Sequence, residues 1–329
     1  MNWRKIYYTF NSGKNSKLFF YISYYIRRFT PKWIFRRRLQ GLLRQVDTRY
    51  DKEYIYQRVN YCNKLGGEHA FDKKKWQEQA LTLKDQPITR HNVYYHDAMT
   101  IGRYFKSSLK WILLPGDITY VPELPSLVKS RPLSSDNQNS VLLKLNKVRH
   151  FIFVHDTIPW KEKKNVAIFR GILGEHKENR TRFMELFGDG QSPMVDAAST
   201  NCFQEHPQWQ RGKMTIKEHL DYKFIMALEG NDVASNLKWV MSSNSIAVMP
   251  RPTCETWFME GTLKPNYHYI EIKPDFSDLE ERLNYYIEHP DQAQQIIQHA
   301  HEYVSMFKNR KRELLISLLV LKKYFEATN

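Results

Sequence analysis

An aspartate follows a short apolar run in Leu113-Leu-Pro115-Gly116-Asp117, where a carboxylate can take the proton of an attacking hydroxyl as a general base. The competing reading is that Asp117 only caps its own turn. A second group lies in Asn165-Val-Ala-Ile-Phe-Arg170-Gly171, an apolar stretch that delivers an arginine and a glycine to its end. Arg180 and Arg182 follow at the start of the next helical stretch. Cationic side chains, backbone N–H groups and a helix N-terminus can together neutralise a departing diphosphate without a metal ion. Taken alone, an arginine such as Arg170 is more often a structural ion-pair partner than an anion ligand.

The chain contains no Asp-x-Asp, the pair with which metal-dependent sugar transferases hold a divalent ion on the donor. It also has no GxxxxGK[ST], GxGxxG, HExxH or GxSxG, which removes support for common nucleotide hydrolases, dinucleotide dehydrogenases, zincins and serine hydrolases. His150 with His155-Asp156, and His91 with His96-Asp97, suggest a metal site only at first sight. Strand positions five apart face opposite sides, so His150 and His155 cannot meet one ion there, and strand-end polar contacts explain them more simply. Three dispersed cysteines, Cys62, Cys202 and Cys254, imply neither a disulfide framework nor a zinc knuckle.

The elements that would carry these residues alternate. Short apolar runs at Trp111 to Pro115, His150 to Val154, Val166 to Phe169, Ser245 to Met249 and Tyr269 to Ile272 have strand length. Thr215-Ile-Lys-Glu218 is a capping-box pattern that predicts a helix ending at Gly230, and Ser277-Asp-Leu-Glu280 repeats the pattern. Asp232 is a cap for a short helix through Trp239, and Pro290 opens a helix toward Phe307. From Asp47 to about Gln86 the pattern reads as helices and loops. Alternation of this kind predicts an α/β fold with parallel sheets, whose ligand crevice lies at the carboxyl ends of the strands.

A chain of 329 residues predicts two domains and a sizeable core, since 42% of it is apolar and 14% aromatic. The net charge is +15, and residues 1–46 hold eleven Lys/Arg, twelve aromatics and no acid before Asp47. Such a mixture suits an anionic membrane surface, with a plain solvated face as the alternative. The apolar run Leu18 to Ile26 is far short of the ~20 residues that span a bilayer. Thr30-Pro31-Lys32 and Arg36-Arg37-Arg38 stand where a signal cleavage site would be, so a cytoplasmic protein that touches the membrane from that side is expected.

Phe169-Arg170-Gly171, Tyr222-Lys223, Leu228 to Gly230 and Leu263-Lys-Pro-Asn-Tyr-His268-Tyr-Ile270 come in an ordered set. With Lys129-Ser-Arg131-Pro132 and Arg149-His150 upstream, the chain resembles the family 90 glycosyltransferases, in their bacterial lipopolysaccharide-core branch. That resemblance implies a GT-B architecture of two Rossmann-like domains facing across a cleft. With it go an acceptor-side domain over 47–160, a nucleotide-sugar domain over 161–329 whose last helix returns to the first domain, and a basic N-terminal extension, 1–46. It implies inverting, metal-independent transfer of glucose or galactose from a UDP-sugar to an inner-core saccharide, a heptose in this branch, at the cytoplasmic face of the inner membrane. No cofactor beyond the UDP-sugar co-substrate is implied. Asp117 matches the family's base. Arg170 and Gly171 match its donor-binding strand end, and Lys223 and Gly230 to Lys238 the segment near donor phosphate and sugar. Relatives carry an arginine where this chain has Asn236, so either Lys238 or Arg182 supplies the missing charge or the donor contact differs. A carboxylate that holds ribose hydroxyls is Glu255 or Glu260. The runner-up is a basic nucleic-acid-binding protein without enzymatic activity, served by the N-terminal charge and rings.

Overall fold

The computed structural model describes residues 3–66, 70–89, 92–175 and 177–329. Its strands, in chain order, are Leu81–Thr82 (β1), Lys110–Trp111 (β2), Ser126–Val128 (β3), Ser130–Pro132 (β4), Ser140–Leu142 (β5), Lys164–Gly171 (β6), Val195–Ser199 (β7), Tyr222–Met226 (β8), Ile246–Met249 (β9), Cys254–Thr256 (β10) and Ile270–Glu271 (β11). The chain divides into two compact units. The small-sheet unit comprises Ser16–Val148, Thr253–Glu260 and Phe307–Asn329. The five-stranded unit comprises the chain up to Asn15, Arg149–Pro252 and Gly261–Met306. The N-terminal 46 residues are therefore shared between units, and the break expected after residue 160 falls at Val148/Arg149.

The five-stranded sheet has the order β11-β9-β8-β6-β7 with every pairing parallel. Its strands are buried on both faces, so Phe224-Ile-Met226 and Ile246-Ala-Val-Met249 read as continuous apolar runs rather than alternating ones. Helices Glu178–Phe187, Leu279–Glu288 and Pro290–Ser305 cover the sheet through Phe183, Leu283, Ala293 and Ile296. In this unit the helix Trp3–Asn11 is tied down by Arg4, whose guanidinium pairs with Glu218 at 2.6 Å, and by the Ile216 N–H donated to the Ser12 carbonyl.

The capping box at Thr215 and Glu218 forms, yet its helix stops at His219. The expected helix to Gly230 is instead strand β8, because a short apolar run between turns suits a buried strand. The expected strand from His150 to Val154 is not one. Lys147–His150 is helical, and the next backbone groups go to side chains: Asn15 donates to the Phe151 carbonyl and the Val154 N–H reaches Ser242 Oγ. The helix expected from Asp232 is shorter, Leu237–Val240, with Asn236 at its head.

In the small-sheet unit the segment 110–114 runs parallel to β3, through the Leu113–Leu127 bridge, and β3 runs parallel to β5. β4 pairs antiparallel with β10. The last helix, Arg310–Thr328, crosses this unit, and its Glu313 is the hub of a buried charge group. Arg58 at 3.2 Å, Lys144 at 2.8 Å and the Trp257 indole N–H at 2.7 Å all converge on it. Opposite charges and hydrogen bonds at one point are what make such burial tolerable.

Candidate functional site

In a parallel sheet of this strand order the first strand, β6, has later strands on both sides, so the chain reverses direction of travel between β6 and β8. Loops leaving adjacent carboxyl ends diverge there and open a crevice. Gly171 ends β6, and Ala227 to Gly230 follow β8.

Arg180, in the first turn of the helix Glu178–Phe187, reaches both loops. Its Nη1 donates to the Ile172 carbonyl at 3.2 Å, its Nη2 to Leu228 at 2.9 Å and its Nε to Glu229 at 2.9 Å. It has no ion-pair partner among the described residues. Burial, and then Arg149 nearby, pull its pKa from 12.5 down to about 10. A desolvated guanidinium without a carboxylate at a switch-point crevice has the electrostatics of an anion site. Gly230 fits because a Cβ there would stand 3.0 Å from Arg180 Nη2. Gly171 fits because a Cβ would meet the Phe169 ring at 2.4 Å. Asn236 donates to the Met226 carbonyl at 3.0 Å, closing the end of β8.

Other residues read as donor ligands lie elsewhere. Arg170 is turned sideways onto β7, where Nη2 meets both oxygens of Asp196 at 2.9 Å and Nη1 donates to the Asp196 and Phe169 carbonyls. The ion-pair reading of Arg170 is the one that holds, because Asp196 sits beside Ile168 in the parallel register. Lys223 is the second residue of β8, near the amino end of the sheet, with Nζ 5.2 Å from the Trp160 ring and its pKa lowered by burial. It is at the wrong end of its strand for the crevice. Lys238 is fully buried with Nζ 5.7 Å from the Phe151 ring, and Arg182 is exposed. Glu255 and Glu260 belong to the small-sheet unit. Glu255 pairs with Arg131 at 2.8 Å and accepts from the Tyr61 hydroxyl; Glu260 accepts from the Thr256 N–H and hydroxyl. Both glutamates are 1% exposed, so neither carboxylate is available to ribose hydroxyls.

Asp117 lies past the carboxyl end of segment 110–114, in the small-sheet unit. Gly116, at φ 116°, supplies the left-handed turn before it. Asp117 Oδ1 accepts from Lys129 Nζ at 2.5 Å and from the Tyr94 hydroxyl at 3.1 Å. Tyr94, its own pKa raised by burial, also receives Asn146 Nδ2 at 3.4 Å. Ser130 Oγ fastens the next residue, accepting the Ile118 N–H and donating to its carbonyl. Lys129 is enclosed, while the Asp117 side chain keeps 19% of its surface. A buried cation therefore holds Asp117 in the ionised form, as a carboxylate that still reaches solvent, which is the form a general base starts from.

Among the described residues no group of three His, Cys, Asp or Glu is placed to hold a metal ion. His91 lies outside the described residues. His96 is a packing residue, its ring 3.7 Å from that of Tyr24.

The chain matches the profile described as "Glycosyl transferase family 90" over residues 142–324. It is 40% identical over 271 residues, 82% of each chain, to the O-glucosyltransferase LpsA of Dichelobacter nodosus. It is also 25% identical over 158 residues to human protein O-glucosyltransferase 1, covering 44% of this chain and 38% of that one. It is likewise 26% identical over 172 residues to human protein O-glucosyltransferase 3, across 51% of this chain and 33% of the relative.

Proposed function

Since the chain belongs to glycosyltransferase family 90 and is a glycosyltransferase, we propose that it transfers a hexose from a UDP-sugar to a hydroxyl of a lipopolysaccharide inner-core saccharide, a heptose, with inversion and without a metal ion. The name of the Dichelobacter relative favours glucose over galactose as the hexose. The family match leaves the nucleic-acid reading without support.

The observation that carries the proposal is Arg180, a desolvated cation without a carboxylate at the switch point of the parallel sheet. A nucleoside diphosphate would bring the missing negative charge to it, and the absence of a Cβ at Gly230 is what lets the guanidinium lie against that loop. Two α/β units, each with parallel strands, are compatible with a GT-B enzyme in which one unit binds the donor and the other supplies the base. Asp117 would take the acceptor proton as that oxygen attacks the anomeric carbon from the side opposite UDP, so the configuration inverts. Arg180 would meet the charge growing on the leaving diphosphate. We place the enzyme as a peripheral protein on the cytoplasmic face of the inner membrane.

The test is transfer of labelled hexose from UDP-glucose and UDP-galactose to heptose-terminated lipopolysaccharide in EDTA, with Asp117→Asn beside the unaltered protein. Chelator-resistant transfer that falls roughly 10²–10⁴-fold in a folded Asp117→Asn protein is expected, the usual contribution of a positioned base. Undiminished transfer in the variant removes Asp117 as base, and activity abolished by EDTA removes the metal-free mechanism.

A further inference from the structure

The helix Lys17–Phe29 is held by one face and bare on the other. Inward, Tyr24 is buried against His96, the Tyr21 hydroxyl donates to Asn92 Oδ1 at 2.9 Å, and Arg103 donates to the Arg28 carbonyl at 2.9 Å. Outward stand Leu18, Phe19, Ile22, Tyr25, Ile26 and Phe29, between 45% and 80% exposed. At 100° per residue these six fall within an arc of about 120°, one continuous apolar face. Monomeric proteins seldom leave a face of this kind uncovered.

We propose that this face inserts into the interfacial region of a bilayer containing anionic phospholipids, the helix lying flat in the membrane plane. The inference deepens the peripheral placement given above by naming the surface that makes contact. Charge identifies the occupant: Lys17, Arg27 and Arg28 flank the face, Arg37 and Arg38 follow on the next helix, and no acid occurs before Asp47. A second copy seated on the same face would bring these cations against each other, whereas anionic headgroups neutralise them and acyl chains take Leu18, Ile22 and Ile26. Trp33, 55% exposed with the Arg37 guanidinium 5.0 Å from its ring, has the amphipathic character of a headgroup-level side chain. At ~1.5 Å per residue the helix is about 20 Å long, and no helix among the described residues is long and apolar enough to cross a membrane. Lying flat is the geometry left to it.

Flotation of the full chain with phosphatidylcholine vesicles, with and without phosphatidylglycerol, tests this, alongside Phe19→Ser/Phe29→Ser and Arg27→Gln/Arg37→Gln/Arg38→Gln. Binding should require phosphatidylglycerol and weaken roughly tenfold or more in the Phe double variant. In the Arg triple variant it should weaken and lose most of its salt dependence. All these side chains are exposed, so transfer to a soluble, delipidated core oligosaccharide should stay at the level of the unaltered protein. Vesicle binding unchanged in the Phe variant overturns the proposal. So does a concentration-dependent dimer that the Phe substitutions abolish, because a second copy would then cover the face. Failure of transfer with binding intact would instead strike the proposed function and leave this surface standing.

Discussion

Replacing Arg180 with methionine keeps most of the aliphatic stem but removes the charge and all five donors. Two opposing effects on stability can be read from its surroundings. Loss of the bonds to Ile172, Leu228 and Glu229 removes three hydrogen bonds from a charged donor, about 1.5–3 kcal/mol each in net terms. Against this, burial draws the guanidinium pKa down to about 10, and a neutral side chain relieves that part of the cost. The bonds outweigh the relief, so the thermal midpoint of Arg180→Met should fall by several degrees. Donor binding has no such compensation. Removing one charge-assisted donor from a diphosphate in a desolvated crevice should lower kcat/KM for the UDP-sugar by about 10²–10³. Calorimetric titration with UDP measures the binding loss directly, and Arg180→Lys, which keeps a charge but not the planar fork, should fall between. UDP affinity within about threefold of the unaltered protein in a folded Arg180→Met would refute the assignment of the crevice to the diphosphate.

Gly171→Ala would drive a methyl into the Phe169 ring, which packs edge-on against Phe183 at 5.2 Å, and should cost about 1–3 kcal/mol. Denaturant unfolding measures it, and a smaller residue at Phe169 should return part of the loss; an unchanged midpoint would refute the contact. His96, with its pKa drawn to about 4 by burial and then by Arg28, is lower in the folded than in the unfolded state. Its contribution is therefore complete above about pH 6.5 and lost as pH falls toward 4. His96→Phe keeps the ring against Tyr24 and should flatten that part of the acid-unfolding curve by on the order of 1–3 kcal/mol, with His268, also at about 4, retaining its share. An identical slope in the variant would show that another group sets it.

Much of the parallel sheet could be read from the chain, because β6, β9 and β11 fall on short apolar runs bounded by polar or turn residues. β8 could not. Tyr222-Lys-Phe-Ile-Met226 follows a true capping box, and a buried apolar run has no period that tells helix from strand. The three-residue strands β3, β4, β5 and β10 carry too little pattern to be seen alone. Glu255 and Glu260 lie close in sequence to residues of the five-stranded unit, but the chain passes into the other unit from Thr253 to Glu260, and only three-dimensional contacts reveal that excursion. The segment Lys129-Ser-Arg131 was visible as a motif without visible roles. Its three side chains serve three tasks: Lys129 on Asp117, Ser130 on Ile118 and Arg131 on Glu255.

The proposed donor site turns on polarity along a strand and rotation around a helix, two quantities a residue pattern does not display by itself. Lys223 and Gly230 stand only seven positions apart, yet the strand between them carries one to the amino end and the other past the carboxyl end of the sheet. Arg180 and Arg182 share one helix, and two residues at 100° each put them about 200° apart, so only one can enter the crevice. Arg180 is the inward one because three carbonyl oxygens just past the ends of β6 and β8 fix its guanidinium. A cation contributed by the helix after β6 is fixed on the Leu228 and Glu229 carbonyls past the carboxyl end of β8, and Asn236 bonds the Met226 carbonyl beside it.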